Sequence, residues 1–258
     1  MNPASSVSQI SIRLRGASVP GAEDRQRRIP GFDQAAFSGS HALCIGAGGL
    51  ISHIAPTLAR KGIGRLTLLD DDIVEPSNLN RQRFYSRDIG KHKAISLAAN
   101  LQEECIAATE IRGVALRFED ALDKRIDLTC DVAICGVDNN PARVTVSRHF
   151  RARGIPVIFT AVSLGGDHGY VFVQEHNGAC IACLYPDMVN DDRYPCPGTP
   201  AIADILQAVG SLAVFAVDAV LMNRTCAWNY RTVSLPDGSS DGCSRVAPRR
   251  GCALCGHP

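Results

Sequence analysis

The fold class is most clearly indicated by residues 41–70, HALCIGAGGLISHIAPTLARKGIGRLTLLD. Its first apolar run predicts a short β-strand that ends in glycines. The next part, ISHIAPTLARKGI, has the apolar spacing of an amphipathic helix, and GRLTLLD predicts a second strand. A strand, a helix and a strand in this order form a βαβ unit, which places the two strands parallel in one sheet.

Strand and helix patterns continue to alternate after this unit. CDVAICGVDN (130–139) is a nearly continuous apolar run, typical of a strand buried on both faces of a parallel sheet. Strands within 154–166 and 169–175 are joined by a short connection, which predicts an antiparallel pair. The predicted fold is α/β, with a Rossmann-like, doubly wound, mostly parallel sheet and antiparallel edge strands. The other predicted segments are a helix over 91–104, a helix opened by Asn140 and Pro141, an irregular excursion over 178–200, a long apolar helix over 201–223 and a loop-rich tail over 231–258.

The composition indicates a globular protein without a large charged surface. Of its 258 residues 45% are hydrophobic and 21% are charged, and the net charge is +1. This length suits one large domain, or one domain with a small appendage. The balanced charge and the single tryptophan, Trp228, argue against a zinc-bearing nucleic-acid module. We find no run of about 20 uncharged apolar residues and no signal-peptide core, so we expect a cytoplasmic protein without nucleic-acid or membrane partners.

The glycines after the first strand predict a phosphate-binding loop. Gly46, Gly48 and Gly49 lie where a strand passes into a helix, so backbone N–H groups and the helix dipole can approach phosphate. The third glycine of the dinucleotide fingerprint would fall at Ile51, so we expect relaxed helix–strand packing there. Asp70 ends the next strand, where a carboxylate can accept hydrogen bonds from ribose hydroxyls. Together these residues predict binding of an adenosine nucleotide.

The polar residues that follow Asp70 favour a triphosphate over a dinucleotide. A triphosphate that is cleaved needs cations on its oxygens, and Arg81 and Lys93 supply two. Asp138, after the third parallel strand, can hold magnesium at the same edge of the sheet. The alternative is that Arg81 and Lys93 are solvated surface charges and Asp138 is a helix cap. A nicotinamide- or flavin-dependent oxidoreductase is the enzymatic alternative, and this charged set counts against it.

These motifs resemble those of the ubiquitin-activating enzyme-like superfamily of adenylyltransferases, of the ThiF, MoeB and HesA type, in its compact bacterial form. The matching motifs, in the family's order, are Arg28 in RQRRI, GAGGL, LLDDD, SNLNRQ, Lys93, GVDNNP, CIAC, AVGSLAVFAVDAVL and CALC. The resemblance implies an N-terminal extension over 1–24 and a ThiF-type adenylation domain over 25–258. Within that domain it implies a nucleotide-binding core over 38–175 and a crossover loop over 185–200.

The resemblance also implies an activity. The enzyme would bind ATP and Mg²⁺ and adenylate the C-terminal glycine of a ubiquitin-like or sulfur-carrier protein, releasing pyrophosphate. Arg81, Lys93 and Asp138 would be catalytic, with Asp138 positioning the magnesium. Arg28 would reach the nucleotide of a second subunit, which implies a homodimer, although Arg27 is an alternative for this contact. The implied nucleotide ligands are Arg28, Gly46, Gly48, Gly49, Asp70, Asp72, Ser77, Asn78, Arg81, Gln82, Lys93, Asp138 and Asn139.

Two Cys-x-x-Cys pairs predict a metal site. Cys180 with Cys183, and Cys252 with Cys255, offer four thiolates, which suit tetrahedral zinc. The separation of the pairs exceeds that of a usual zinc ribbon, but the resemblance implies a structural zinc at matching places. A redox-active pair is the alternative.

Of the seven remaining cysteines, three are predicted core residues and one is a candidate nucleophile, while Cys105, Cys226 and Cys243 carry no informative pattern. Cys44, Cys130 and Cys135 lie in apolar runs and are predicted to be buried. Cys196, in DDRYPCPGTP, lies where the resemblance implies a catalytic thiol that takes the activated carboxyl as a thioester or receives sulfur. The alternative is an incidental cysteine between two prolines.

The resemblance leaves two pathways open. Larger ubiquitin-activating enzymes add a cysteine domain and a ubiquitin-fold domain that recruits the next carrier enzyme, and we see no such insert in this sequence. The small size is similar to that of sulfur-carrier activation for molybdopterin, thiamine or tRNA thiolation. The divergent loop and N-terminus resemble the activating enzymes of bacterial ubiquitin-like conjugation operons. We favour conjugation, with a ubiquitin-carrier-like enzyme as a further partner, and keep sulfur-carrier activation as the alternative.

Overall fold

The computed structural model describes residues 10–190, 200–236, 238 and 241–256. In these residues the chain forms one nine-stranded sheet. The strands are β1 (Ser11–Arg15), β2 (His41–Ile45), β3 (Arg65–Leu69), β4 (Glu110–Val114), β5 (Val132–Cys135), β6 (Val157–Val162), β7 (His168–Gln174), β8 (Tyr230–Ser234) and β9 (Gly242–Ser244). The α-helices are α1 (Asp24–Arg27), α2 (Gln34–Gly39), α3 (Ile51–Arg60), α4 (Lys93–Gln102), α5 (Phe118–Asp123), α6 (Asn140–Arg151), α7 (Ile181–Leu184) and α8 (Ala203–Leu221), and short 3₁₀ turns lie at Pro76–Asn78, Ser86–Asp88 and Pro186–Asn190.

The strand order makes the sheet doubly wound. The order is β1-β4-β3-β2-β5-β6-β7-β8-β9, and the five strands from β4 to β6 in this order pair in parallel. From β2 the chain builds outward through β3 and β4 on one side, and through β5 and β6 on the other. The carboxyl ends of β2 and β5 therefore border the topological switch point, where α/β sheets bind ligands. The predicted Rossmann-like sheet with antiparallel edges is confirmed.

Apolar residues on both faces of the central strands form the core. In β2, Cys44 packs in the layer that contains residues of α3, α4 and α8, and Leu43 packs in the layer that contains residues of α5 and α6. All four residues of β5 are buried. The apolar run predicted at 130–139 is therefore a two-sided core strand, and Cys44, Cys130 and Cys135 are buried as expected.

Helix α8 corrects one expectation. Among the described residues, α8 is a helix whose length and apolar composition would suit a membrane span. From the sequence, we found no stretch of this kind. Half of the apolar stretch of α8 is buried in the protein, and α8 packs on α3, β6 and β7. Its Asp218 side chain is buried and pairs with Lys61. These contacts are those of a core helix.

The two ends of the chain carry more strand than the sequence suggested. The tail predicted to be loop-rich contributes most of β8 and all of β9, and Ser11–Arg15, within the predicted extension, pairs antiparallel with β4. These strands are half-buried or exposed, so their sequences lack the apolar runs that reveal the central strands. The predicted domain boundaries stay a prediction.

Candidate functional site

The glycine loop lies at the topological switch point, and the space beside Gly48 is open. Gly46 has φ of +95°, a conformation that favours glycine, and its N–H donates to the Leu69 carbonyl at 2.7 Å. A Cβ on Gly46 would lie 3.4 Å from the Gly136 backbone, whereas a Cβ on Gly48 would meet nothing within 4 Å. The loop is therefore pinned to its neighbours, and the space beside Gly48 lets a ligand approach the backbone.

Ile51 replaces the third glycine of the fingerprint without loosening the structure. Its side chain is fully buried, and a Cβ on Gly136 would lie only 2.7 Å from Ile51 Cγ1. The glycine that permits close packing is thus on the facing strand end. The expectation of relaxed packing at Ile51 is wrong, because Gly136 supplies the missing space.

Asp70 closes the loop from the end of β3. Its carboxylate accepts hydrogen bonds from the Ala47 N–H at 2.6 Å and the Asp72 N–H at 2.8 Å. Burial raises the pKa of Asp70 to about 6, against the opposing effects of the Lys93 charge and the Ala47 N–H. A carboxylate held in this way can accept hydrogen bonds from a ribose.

Lys93 is a buried cation at the start of α4. Its side chain is 10% exposed, and Nζ donates to an Asp72 carboxylate oxygen at 2.8 Å. The Lys93 N–H also donates to the Asp72 carbonyl at 2.8 Å. The interpretation of Lys93 as a solvated surface charge is wrong, because the side chain is held beside two of the predicted site carboxylates, Asp70 and Asp72.

The SNLNRQ turn is held by its own side chains. The Asn78 side chain accepts from the Glu75 N–H at 3.0 Å, and Arg81 Nη1 donates to the Ser77 carbonyl at 2.6 Å and to Asn80 Oδ1 at 3.0 Å. Arg81 is half-buried and would have to exchange these two bonds to reach a phosphate. Asn78 is buried and supports the turn, while the Ser77 side chain is exposed.

Two further side chains connect this turn to the site. Gln82 is buried, and among the described residues its Oε1 has no hydrogen-bond partner, an orphaned acceptor that fits a ligand-facing amide. His53 of α3, which sequence reasoning missed, lies 2.9 Å from the Arg81 carbonyl through Nε2. A carbonyl only accepts, so Nε2 carries the proton, and burial lowers the pKa of His53, which favours the neutral ring.

Asp138 and Asn139 follow β5 at the same edge of the sheet. Asp138 is exposed, so its carboxylate oxygens are accessible to Mg²⁺. Asn139 Oδ1 accepts from the Ala142 N–H at 2.9 Å and so caps α6. The helix-cap interpretation of Asp138 is therefore wrong, since its neighbour makes the cap.

Arg28 lies away from the glycine loop of its own chain. It is exposed and pairs with Asp24 at 2.7 Å, and nearby Gln26 donates to the carbonyl of Lys61, at the C-terminal end of α3. The glycine loop precedes the N-terminal end of α3, and this ten-residue helix is about 15 Å long. The structure does not bring Arg28 to the predicted nucleotide ligands of the same chain.

The four cysteines of the predicted metal site come together. The Sγ atoms of Cys180 lie 3.7 Å from Cys183 and 3.6 Å from Cys252, and those of Cys183 and Cys255 are 3.6 Å apart. A tetrahedral Zn–S₄ centre with bonds of about 2.3 Å has sulfur–sulfur edges of about 3.8 Å. The cluster fits zinc, and these separations exceed a disulfide bond of about 2.05 Å.

The thiols of this cluster ionise unequally. Burial raises the pKa of Cys180. Burial also opposes ionisation of Cys252, but hydrogen bonds from the N–H groups of Cys255 and Leu254 lower the pKa of Cys252 to about 6. Cys196, the candidate nucleophile, lies outside the described residues.

The fold and this site define a Rossmann-like α/β protein with a four-cysteine cluster compatible with a zinc knuckle. The sequence model of the ThiF family matches residues 23–252, and the chain belongs to that family.

Curated relatives carry names of the same kind. The chain is 30% identical over 228 residues to the sulfur carrier protein ThiS adenylyltransferase of Escherichia coli. This alignment covers 84% of this chain and 86% of that protein. It is 30% identical to the SAMP-activating enzyme E1 of Haloferax volcanii, over 65% of this chain and 61% of that protein. It is 30% identical to the adenylyltransferase and sulfurtransferase MOCS3 of Xenopus laevis, over 87% of this chain but 50% of that protein. The chain thus spans only about half of the MOCS3 relative.

Solved structures share the fold at low sequence identity. The crystal structure of E. coli MccB with ATP superposes with a TM-score of 0.73 at 18% identity, over 92% of this chain and 76% of that one. The complex of E. coli MccB with MccA-N7isoASN gives a TM-score of 0.75 at 17% identity, over 93% and 76% of the two chains. These likenesses show the fold alone.

Proposed function

We propose that this protein is an ATP-dependent adenylyltransferase that activates the C-terminal carboxyl of a ubiquitin-like or sulfur-carrier protein. The observation that carries the proposal is the crevice in which the open glycine loop, the Asp70 carboxylate and the buried Lys93 ammonium lie together. A carboxylate for ribose and a desolvated cation for phosphate, side by side, suit a nucleoside triphosphate better than a dinucleotide.

Each residue has a role that follows from its position. Asp70 accepts hydrogen bonds from the ribose, and backbone N–H groups of Gly46 to Gly49 face the phosphates. Lys93 and Arg81 neutralise phosphate oxygens, with Arg81 leaving the Ser77 carbonyl to do so. The remaining proposed contacts are those of Asp72, Ser77, Asn78, Gln82 and Asn139.

The proposed reaction is a displacement at phosphorus. A carboxylate oxygen of the carrier's terminal glycine forms a bond to the α-phosphorus, and the bond from that phosphorus to the bridging oxygen of pyrophosphate breaks. Negative charge builds up on the pyrophosphate, where the Lys93 and Arg81 cations stabilise it. Mg²⁺, held by Asp138, would supply further charge neutralisation when bound.

The names of the relatives support a carrier-protein substrate. The ThiS adenylyltransferase and the SAMP-activating enzyme are both named for proteins that they act on. The first supports sulfur-carrier activation and the second supports a ubiquitin-like activating role, so both versions stand. In the second version the Cys196 thiolate attacks the carbonyl carbon of the acyl adenylate, the thioester forms as AMP leaves, and the acyl group then passes to a ubiquitin-carrier-like enzyme. Detection of that thioester on a Cys196→Ala protein would exclude the role of Cys196.

The other parts of the proposal are structural. Zinc on the four cysteines would hold the C-terminal tail to the segment after β7. Arg28 lies far from its own loop, which supports a homodimer in which it serves the partner's nucleotide. A cytoplasmic location is also part of the proposal.

The test is ATP–pyrophosphate exchange by purified variants in the presence of a carrier. Asp138→Ala and Lys93→Ala should each lose at least about 100-fold in exchange, because each removes charge stabilisation. Lys124→Ala, an exposed lysine after α5, is the matched control and should keep wild-type exchange. Full exchange by the Asp138→Ala protein would overturn the magnesium role, and preferential binding of NAD over ATP would favour the oxidoreductase.

A further inference from the structure

A buried arginine lies behind the Asp138 loop. Arg143, in the first turn of α6, is 5% exposed, and in the described part of the chain no ion pair involves it. Arginine is almost never fully buried without a partner, because desolvating the guanidinium is costly. A buried arginine without a carboxylate at hydrogen-bond distance therefore indicates a specific role.

The Arg143 guanidinium donates hydrogen bonds to the loop after β5 and to the neighbouring strands β6 and β7. Nη2 donates to the Val137 carbonyl at 2.6 Å and to the Thr160 carbonyl at 3.1 Å, and Nη1 donates to the Tyr170 hydroxyl at 2.9 Å. Val137 directly precedes Asp138, and Thr160 lies in β6. Arg143 thus links the loop after β5 to the neighbouring strand.

The loop is fixed on both sides of Asp138. Gly136 N–H donates to the Ile45 carbonyl at 2.9 Å, the Val137 carbonyl accepts from Arg143, and Asn139 caps α6. The Asp138 side chain, between these anchors, is the exposed one. A ligand carboxylate binds best when its backbone is held rigidly, and among the described residues Arg143 is the charged side chain that anchors this loop.

Tyr170 extends the link towards the predicted crossover loop. Its ring packs against Tyr185 and Tyr230 at centroid distances of 5.4 and 5.8 Å, and the hydroxyls of Tyr185 and Tyr230 are 3.3 Å apart. Tyr185 is the first residue of the predicted crossover loop, the segment that contains Cys196.

We propose that Arg143 is a positioning residue that holds the Val137–Asp138 backbone for binding of the magnesium–triphosphate unit, and that Tyr170 ties this loop to Tyr185. This inference rests on the proposed function, since it takes the crevice to be an ATP site. Arg143 itself touches no reacting atom.

The test compares the effect of Mg²⁺ on ATP affinity, measured by calorimetry without any carrier. In the wild type, Mg²⁺ should strengthen ATP binding. In Arg143→Gln this strengthening should fall by about tenfold, because a charge-assisted hydrogen bond to the loop is lost, while ATP affinity in excess EDTA stays within about twofold of the wild type. Arg143→Lys keeps the charge and should recover part of the effect, and Tyr170→Phe should lose a smaller part.

Ser147→Ala is the matched control. Ser147 lies one turn further along α6, is fully buried and donates to Gln174 Oε1, so its loss also removes a buried hydrogen bond on the same helix. It should lower Tm yet leave the magnesium effect intact. Thermal unfolding of every variant reports folding independently of activity.

The outcomes separate the inference from the proposed function. A normal magnesium effect in folded Arg143→Gln overturns the inference; if that variant does not fold, a normal effect in Tyr170→Phe overturns it. Wild-type protein that binds Mg–ATP but catalyses no exchange contradicts the proposed reaction and leaves the Arg143 comparison decisive. Wild-type protein that binds no ATP overturns both.

Discussion

Asp70 shows at the residue scale how a ligand site weakens the fold that contains it. Burial, the largest effect, raises the pKa of its carboxyl from 3.8 to about 6. Between these values the folded chain keeps a proton that the unfolded chain has lost, so the free energy of unfolding falls as the pH rises through this interval. Above pH 6 the carboxylate is ionised at a cost that bound ribose would offset.

ATP affinity should therefore depend on the ionisation of Asp70. It should rise as the pH increases through about 6, because only the ionised carboxylate can accept hydrogen bonds from the ribose with both oxygens. Asp70→Asn should bind ATP at least about tenfold more weakly at pH 7.5 and lack this step. Calorimetric titrations at several pH values measure both effects, and the variant subtracts the titration of ATP itself. An identical pH step in both proteins would refute the ribose role.

A second residue-scale prediction concerns the packing of Ile51 against Gly136. Gly136→Ala should destabilise the fold by about 1–3 kcal/mol, because the new Cβ would overlap Ile51 Cγ1. Adding Ile51→Ala removes the overlap, so the double variant should cost less than the sum of the single ones. Gly48→Ala meets no neighbour and serves as the stability control. Urea unfolding of the wild type and these four variants measures the free energies, and strict additivity would contradict the close packing.

The candidate site residues that follow strands, and Lys93 at the start of α4, were predicted from the sequence, whereas His53 and Arg143, which lie within helices, were not. Asp70 and Asp138 are recognisable because the carboxyl ends of parallel strands meet at one edge. Arg143 resembles a surface charge, yet it occupies a buried stripe of α6 with Val146, Ser147 and Phe150. A charged residue at a core position of the helical repeat was the signal that could have found it.

At the scale of elements, the four-cysteine cluster is the part whose stability we expect to depend on a bound ligand. α7 is four residues long, and the described residues 245–256 form no helix or strand, so we expect zinc to add to the packing of Cys180, Cys252 and Leu254 that joins these pieces.

The purified protein should contain one zinc ion per chain. Cys183→Ser should lose it and lower Tm by several degrees, because three ligands bind zinc far more weakly than four. Cys243→Ser, an exposed cysteine on β9, is the matched control and should keep both zinc and Tm. Metal analysis and thermal unfolding decide the matter, and a metal-free protein with a Cys180–Cys183 disulfide would show a redox pair instead.

The central elements and the antiparallel β6–β7 pair followed from the sequence, whereas the outer strands β1, β8 and β9 did not, for one physical reason. The βαβ unit at 41–70 and strand β5 are buried on both faces, so their composition reflects the core. Strands β1, β8 and β9 are defined by pairing with a neighbour, and their half-exposed side chains leave no such pattern.

At the scale of the whole molecule, the position of Arg28 predicts shared sites in a dimer. If Arg28 serves the partner's nucleotide, Arg28→Ala and Asp138→Ala proteins are each inactive alone, but a mixed dimer regains one intact site. When equal amounts of the two variants are mixed and their subunits redistribute at random, about a quarter of the wild-type ATP–pyrophosphate exchange rate should return. No recovery, with subunit mixing verified by mass, would place Arg28 outside the site.

The proposed activity of the whole molecule is activation of the terminal glycine of a carrier protein. The most direct test is ATP–pyrophosphate exchange by the wild-type protein with candidate ubiquitin-like and sulfur-carrier proteins, each intact and without its last glycine. We predict Mg²⁺-dependent exchange with an intact carrier that disappears when the terminal glycine is removed. Exchange that ignores the terminal glycine, or tight ATP binding with no exchange for any carrier, would contradict this proposed activity.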